Sequence, residues 1–203
     1  MMPAQTHAER YTVQDYLAWD DDRRYELIEG EAYLMAPAPN LQHQSITLSL
    51  AGQLRHRLEE KMRAAAHCPC QVYVAPVDVV LGPDTVVQPD VVLVCDPAKL
   101  ANGRYVDGPP DLAVEVISPA TARHDRLVKR DLYERMGVVD YWIVDPEALT
   151  LECYRLIGGA YGKPEVYGPG EVVKLAHCGG LALDLTEVFG PPPAPGPRGP
   201  DLT

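Results

Sequence analysis

Two short apolar runs constrain this chain most: Val86-Val87-Gln88-Pro89-Asp90-Val91-Val92-Leu93-Val94 and Asp111-Leu112-Ala113-Val114-Glu115-Val116-Ile117. Both are rich in β-branched residues and nearly continuous, the composition of strands covered on both faces. Each carries an acid, Asp90 entering the first strand and Glu115 inside the second. An ionised carboxylate in such a run costs several kcal/mol unless something pairs with it. Capping of a strand entry explains Asp90 alone, and an arginine partner explains Glu115 alone. On neighbouring strands the two can stand about 5 Å apart, the spacing at which carboxylates share a hard metal ion.

The remaining elements follow in chain order. Thr12 can cap a short helix with Tyr16, Leu17 and Trp19 on its apolar side, and Asp20-Asp21-Asp22 reads as a solvated turn. Tyr25 to Met35 predicts a tight hairpin with Gly30 at its corner. From Leu41 to about Arg63, Ile46, Leu50, Leu54 and Leu58 recur every four residues, a helical stripe that also carries His43. A histidine there is either a satisfied core residue or one that looks into a site at the strand ends. Gln71–Leu81 and Val86–Val94, joined by Gly82-Pro83-Asp84, predict a second hairpin.

A second helix is expected over roughly Ala122–Met136, ended by Gly137. On a regular helical wheel Val128, Leu132 and Met136 define its buried stripe, and Asp125 and Lys129 fall on the same side. An acid–lysine pair at i,i+4 facing the sheet is either a self-satisfied edge pair or part of the place where Asp90 and Glu115 meet. Tyr141–Asp145 then forms a buried strand entered by a helical crossover, which implies a mixed sheet. Strands and turns from Leu149 to Leu185 predict a β-rich extension that completes one edge of the sheet. We expect a flexible N-terminus over 1–10, one α/β domain over 11–189 and a disordered Pro/Gly-rich tail over 190–203.

Composition excludes several classes. No apolar run is long enough to span a membrane and no secretory leader is visible, so a cytoplasmic protein is expected. A formal net charge of −11 disfavours non-specific coating of nucleic acid. The cysteine count is five and odd, predicting reduced thiols in strands. Cys68-Pro69-Cys70 beside His67, with His177-Cys178 far along the chain, is a weak zinc signature. Glycine-rich phosphate loops and a serine-nucleophile elbow are both missing.

Helix, three strands, helix and strand, with Pro89-Asp90 and Glu115-Val116-Ile117, resembles the PD-(D/E)XK nuclease superfamily. Within it the chain resembles the widespread bacterial "putative restriction endonuclease" family. That resemblance rests on Tyr25-Glu26-Leu27-Ile28-Glu29-Gly30, His43-Gln44, Pro89-Asp90, Glu115-Val116-Ile117-Ser118-Pro119, Asp125, Lys129, Tyr133, Gly137 and Tyr141-Trp142. It implies a restriction-endonuclease-like core with a β-rich C-terminal extension. It also implies Mg²⁺-dependent hydrolysis of DNA, with Mn²⁺ as a substitute, by a homodimer or higher homo-oligomer. The metal would be held by Asp90, Glu115 and the backbone carbonyl of Val116. Ile117 stands where the superfamily has its lysine, and Lys129 on the next helix is the displaced substitute. His43, Glu29 and Asp125 are accessory candidates. The alternative is a catalytically inactive module that binds a protein or nucleic-acid partner.

Overall fold

The computed structural model describes residues 10–35, 38–64 and 68–191, without the side chain of Cys178. The expected termini over 1–10 and 190–203 lie almost wholly outside these residues, as does His67. Helix α1 (Val13–Ala18) starts at a reciprocal capping box between Thr12 and Asp15. Strands β1 (Tyr25–Ile28) and β2 (Glu31–Leu34) form the expected hairpin. Its corner is Glu29 at φ 51° and Gly30 at φ 80°. A Cβ on Gly30 would approach Arg10 within 3.2 Å. Helix α2 (Leu41–Arg63) follows, capped by Asn40.

The next strands are β3 (Gln71–Val74), β4 (Val79–Gly82), β5 (Thr85–Val87) and β6 (Val91–Val94). The single long hairpin predicted here is instead two. Pro76 and Pro89 have no N–H to continue a ladder, so the arms bend and change sheets. β4 and β5 pair in one sheet, while β3 and β6 pair in another. β7 (Val106–Asp107) and β8 (Leu112–Val116) come next. A π-helical turn (His124–Lys129) runs into α3 (Arg130–Met136), then β9 (Asp140–Asp145). The extension holds β10 (Thr150–Ile157), β11 (Ala160–Tyr161), β12 (Glu165–Tyr167), β13 (Val172–Leu175), β14 (Leu181–Asp184) and α4 (Thr186–Phe189).

Among the described residues the main sheet has the order β11-β10-β9-β8-β6-β3, with β12 added on β10. β6 and β8 are antiparallel while β8 and β9 are parallel, the mixed sheet that a helical crossover requires. A smaller sheet has the order β2-β1-β5-β4-β7, and β13-β14 is a separate ribbon. Period-two alternation divides the core. Val91, Leu93, Val114 and Val116 face α2 and the β13-β14 ribbon. Val92, Val94, Ala113 and Ile117 face α3 and the smaller sheet. Both faces of the main sheet are covered, as the two apolar runs require.

Leu50 and Leu54, on the inner face of α2, are wholly buried. Leu54→Ala is therefore expected to lower stability by about 2–5 kcal/mol, read by urea denaturation.

Three further expectations change. Val128 is 42% exposed rather than in the buried stripe of its helix. The N–H of Arg130 reaches the carbonyl of Asp125, an i→i+5 bond, so each turn holds more residues than a regular helix. That keeps Asp125 and Lys129 inward but swings Val128 out. Second, the cysteines are not all reduced thiols. Cys70 and Cys95, on adjoining ends of β3 and β6, form a disulfide, Cys68 is also disulfide-bonded, and Cys153 is a buried free thiol. Third, part of the C-terminal extension does not lengthen the main sheet. The β13-β14 ribbon packs Val173, Leu175, Leu181 and Leu183 into the core beneath α2.

Candidate metal-dependent active site

Glu115 shares its strand face with Ala113 and Ile117, so its carboxylate points toward α3 and the smaller sheet. It is 5% exposed. Its Oε1 accepts from the ammonium of Lys129 at 2.9 Å and from the hydroxyl of Tyr133 at 2.8 Å. Lys129 is equally buried and meets two further acids, Glu26 Oε1 at 2.8 Å and Asp125 Oδ1 at 3.7 Å. Glu26 reaches in from β1 and also accepts the N–H of Gln88 at 3.0 Å. Asp125 and Lys129, both buried, keep their inward positions through the π-helical turn.

Asp90 sits at the bend between β5 and β6. Its Oδ2 accepts the N–H of Val116 at 2.8 Å, which ties it to the strand of Glu115. The same oxygen lies 3.1 Å from Nε2 of His43 in the first turn of α2. Asp90, Glu115, Lys129, His43, Asp125 and the Val116 backbone thus line one cleft of about 720 Å³, with Ile117 beside them.

Glu29 is not among them. Its carboxylate is 58% exposed and pairs with Arg135 on the outer surface, because its positive φ places it in the hairpin turn. Glu26 occupies the inner position instead. The available signal was an acid inside an apolar run, the same one that marks Glu115. Glu26→Ala is expected to destabilise by about 1–3 kcal/mol, since it leaves the buried N–H of Gln88 without its acceptor while Lys129 keeps Glu115 and Asp125. Glu29→Ala is expected to change stability by less than about 0.5 kcal/mol. Urea denaturation of the two variants separates them.

The electrostatics are unbalanced. Three acids, Glu26, Glu115 and Asp125, converge on one permanent cation, Lys129, and a fourth, Asp90, lines the same cleft against His43. Burial pushes Glu115 well above the usual carboxylate range, and its acidic neighbours add to this against the pull of Lys129. Burial likewise raises Asp125. Burial alone would lower Lys129, but the charges of Glu115, Glu26 and Asp125 outweigh it and hold the ammonium charged. For His43, burial opposes the proton, while Asp90 and the Val116 backbone favour it and raise its pKa overall.

This excess of negative charge suits a divalent cation. Among the described residues, Oδ1 of Asp90 and Oε2 of Glu115 are left without a hydrogen bond, because the partners of each acid all gather on its other oxygen. Those two oxygens are the ones that would be offered to a cation, with Lys129 and Tyr133 left on the other oxygen of Glu115. The residues fit a hard metal. Among the described residues, the walls of the cleft carry Glu147 as a fifth acid and Arg24 as a second permanent cation, so its lining is acidic overall.

Comparison with known proteins agrees with this fold. A solved structure of a putative nuclease belonging to DUF820 from Anabaena variabilis superposes with a TM-score of 0.67 at 17% identity. The match covers 88% of this chain and 97% of that one. An uncharacterized protein, slr1290, from a Synechocystis strain is 25% identical over 150 residues, 72% of this chain and 74% of its own length. The family model Uma2, described as "Putative restriction endonuclease", matches residues 13–186. The chain therefore belongs to the Uma2 family and has its restriction-endonuclease-like fold.

Proposed function

We propose that this protein is a Mg²⁺-dependent DNA endonuclease. The observation that carries the reading is the convergence of three buried acids on one lysine with Asp90 in the same cleft, one oxygen each of Asp90 and Glu115 lying outside the hydrogen bonds that hold them. Mg²⁺, or Mn²⁺ in its place, would be held by Asp90, Glu115 and the carbonyl of Val116. When bound, such an ion polarises the phosphate and makes a nearby water acidic enough to attack at neutral pH.

The protein's own groups supply the rest. The ammonium of Lys129, fixed by three carboxylates, is aimed at the oxygens of Glu115, where it orients the attacking water and stabilises charge on phosphorus. Tyr133 and Glu26 hold that geometry. His43, raised toward its charged form by Asp90, places a positive group at the cleft for a phosphate oxygen of the substrate. Acting on both strands of a duplex calls for two such sites, most simply in a two-fold homodimer. A cytoplasmic location gives it access to DNA. No described helix is long and apolar enough to cross a membrane.

The acid-rich walls of the cleft favour a second reading, a nuclease fold that binds a partner without cutting. Supercoiled plasmid incubated with Mg²⁺ or Mn²⁺ separates the two. The nuclease reading expects nicked and linear products from wild type, none with chelator and none from Asp90→Ala. Plasmid left intact by wild type under every metal condition refutes it.

A further inference from the structure

β6 and β8 carry titratable groups at both ends. Asp90 and Glu115 mark one end, while Cys95, just past β6, and Asp111, just before β8, mark the other. His177, in the turn between β13 and β14, comes down onto this far end. Among the described residues, Cys95, Asp111 and His177 are a group whose donor atoms all lie within 4.8 Å of one another. Cys70 joins them, since its sulfur is bonded to that of Cys95. The set offers two sulfurs, one imidazole nitrogen and one carboxylate oxygen.

The surroundings are ordered as a metal-bound histidine needs. Nδ1 of His177 faces Asp111 Oδ1 at 3.7 Å, and Nε2 lies 3.2 Å from Oδ2 of Asp140. Asp140 is 1% exposed in its side chain, and its other oxygen is held by Arg155 at 3.2 Å. A carboxylate that fixes the far nitrogen of an imidazole sets its tautomer and leaves the near nitrogen free to bind. Asp111 is fixed too, its Oδ2 accepting the N–H of Cys95 at 2.6 Å.

We propose that, in the thiol state of Cys70 and Cys95, this cluster is a structural zinc-class metal site formed by Cys70, Cys95, His177 and Asp111. Two thiolates and an imidazole select a soft or borderline ion in tetrahedral geometry, not the hard ion of the cleft. A dithiol reductant opens the Cys70–Cys95 disulfide, delivering two electrons and two protons to give two thiols. Both protons leave when the metal binds. The site clamps the turn of the β13-β14 ribbon to the end of the main sheet. It makes no demand on the cleavage reading, because it lies at the opposite end of β6 and β8.

The test uses the full chain, reduced and handled without oxygen, in wild type, Cys95→Ser, His177→Ala and Asp90→Ala. Titration with Co²⁺ is expected to give a thiolate-to-cobalt charge-transfer band and tetrahedral ligand-field bands in wild type and Asp90→Ala alike. Both sets should be lost in Cys95→Ser and weakened and shifted in His177→Ala. Zinc retained through gel filtration should fall at least about tenfold in Cys95→Ser. Because a variant can fail to fold, wild type oxidised back to the disulfide is a second arm, expected to lose the bands with its circular dichroism unchanged. A reduced wild type without the charge-transfer band, or a band that survives in Cys95→Ser or after oxidation, overturns the proposal.

Discussion

Lys129→Ala is expected to cost about 3–5 kcal/mol of stability and to lower plasmid cleavage by about 10²–10³-fold. The stability loss follows from removing the one cation shared by Glu26, Glu115 and Asp125, all buried. The activity loss follows from its 2.9 Å contact with Glu115. Lys129→Arg should rescue poorly, since a planar guanidinium cannot fill a point-charge position among three acids. The variant has a further signature. With the lysine gone the carboxylates repel more strongly, so added Mn²⁺ should raise the melting temperature more than in wild type. Urea denaturation, plasmid nicking and thermal melting read the three effects. Cleavage that survives the stability loss would make the lysine a structural clamp only.

The second large effect concerns metal. Mn²⁺ at about one hundred times its dissociation constant should stabilise wild type by about 2.7 kcal/mol, on the order of 5–10 °C in a chain of this size. Asp90→Ala and Glu115→Ala should each abolish that response. Mn²⁺ suits the assignment because it is hard and prefers carboxylate and carbonyl oxygens to thiolates. Identical melting shifts in all three proteins would mean that the two carboxylates do not share an ion.

The fold was legible because β-branched runs bounded by prolines and glycines leave few alternatives. Asp90 and Glu115 stood out as acids in such runs, and Lys129 as a cation on the apolar side of its helix. Glu26 did not stand out. Tyr25-Glu26-Leu27-Ile28-Glu29 places acids on both sides of two apolar residues, and only the turn geometry at Glu29 and Gly30 decides which one points inward. The exposure of Val128 was hidden for a related reason. A π-helical turn leaves no mark in a sequence read at 3.6 residues per turn. The pairing of Cys70 with Cys95, and the approach of His177 to both strands, depend on register between distant segments, which no local pattern encodes.

The two bends at Pro76 and Pro89, where hairpin arms pass from one sheet to the other, have a consequence for synthesis. Glu26 belongs to the smaller sheet, Glu115 to the main one, Asp90 to a bend between them, and Lys129 to a helix that follows all three. A chain emerging from the ribosome has no acid cluster worth the name until residue 129 has docked. Until then Glu26, Glu115 and Asp125 lack the cation that joins them. On the proposed reading, the half-made polypeptide is harmless to the genome that encodes it, and the ability to cut waits on the docking of that helix.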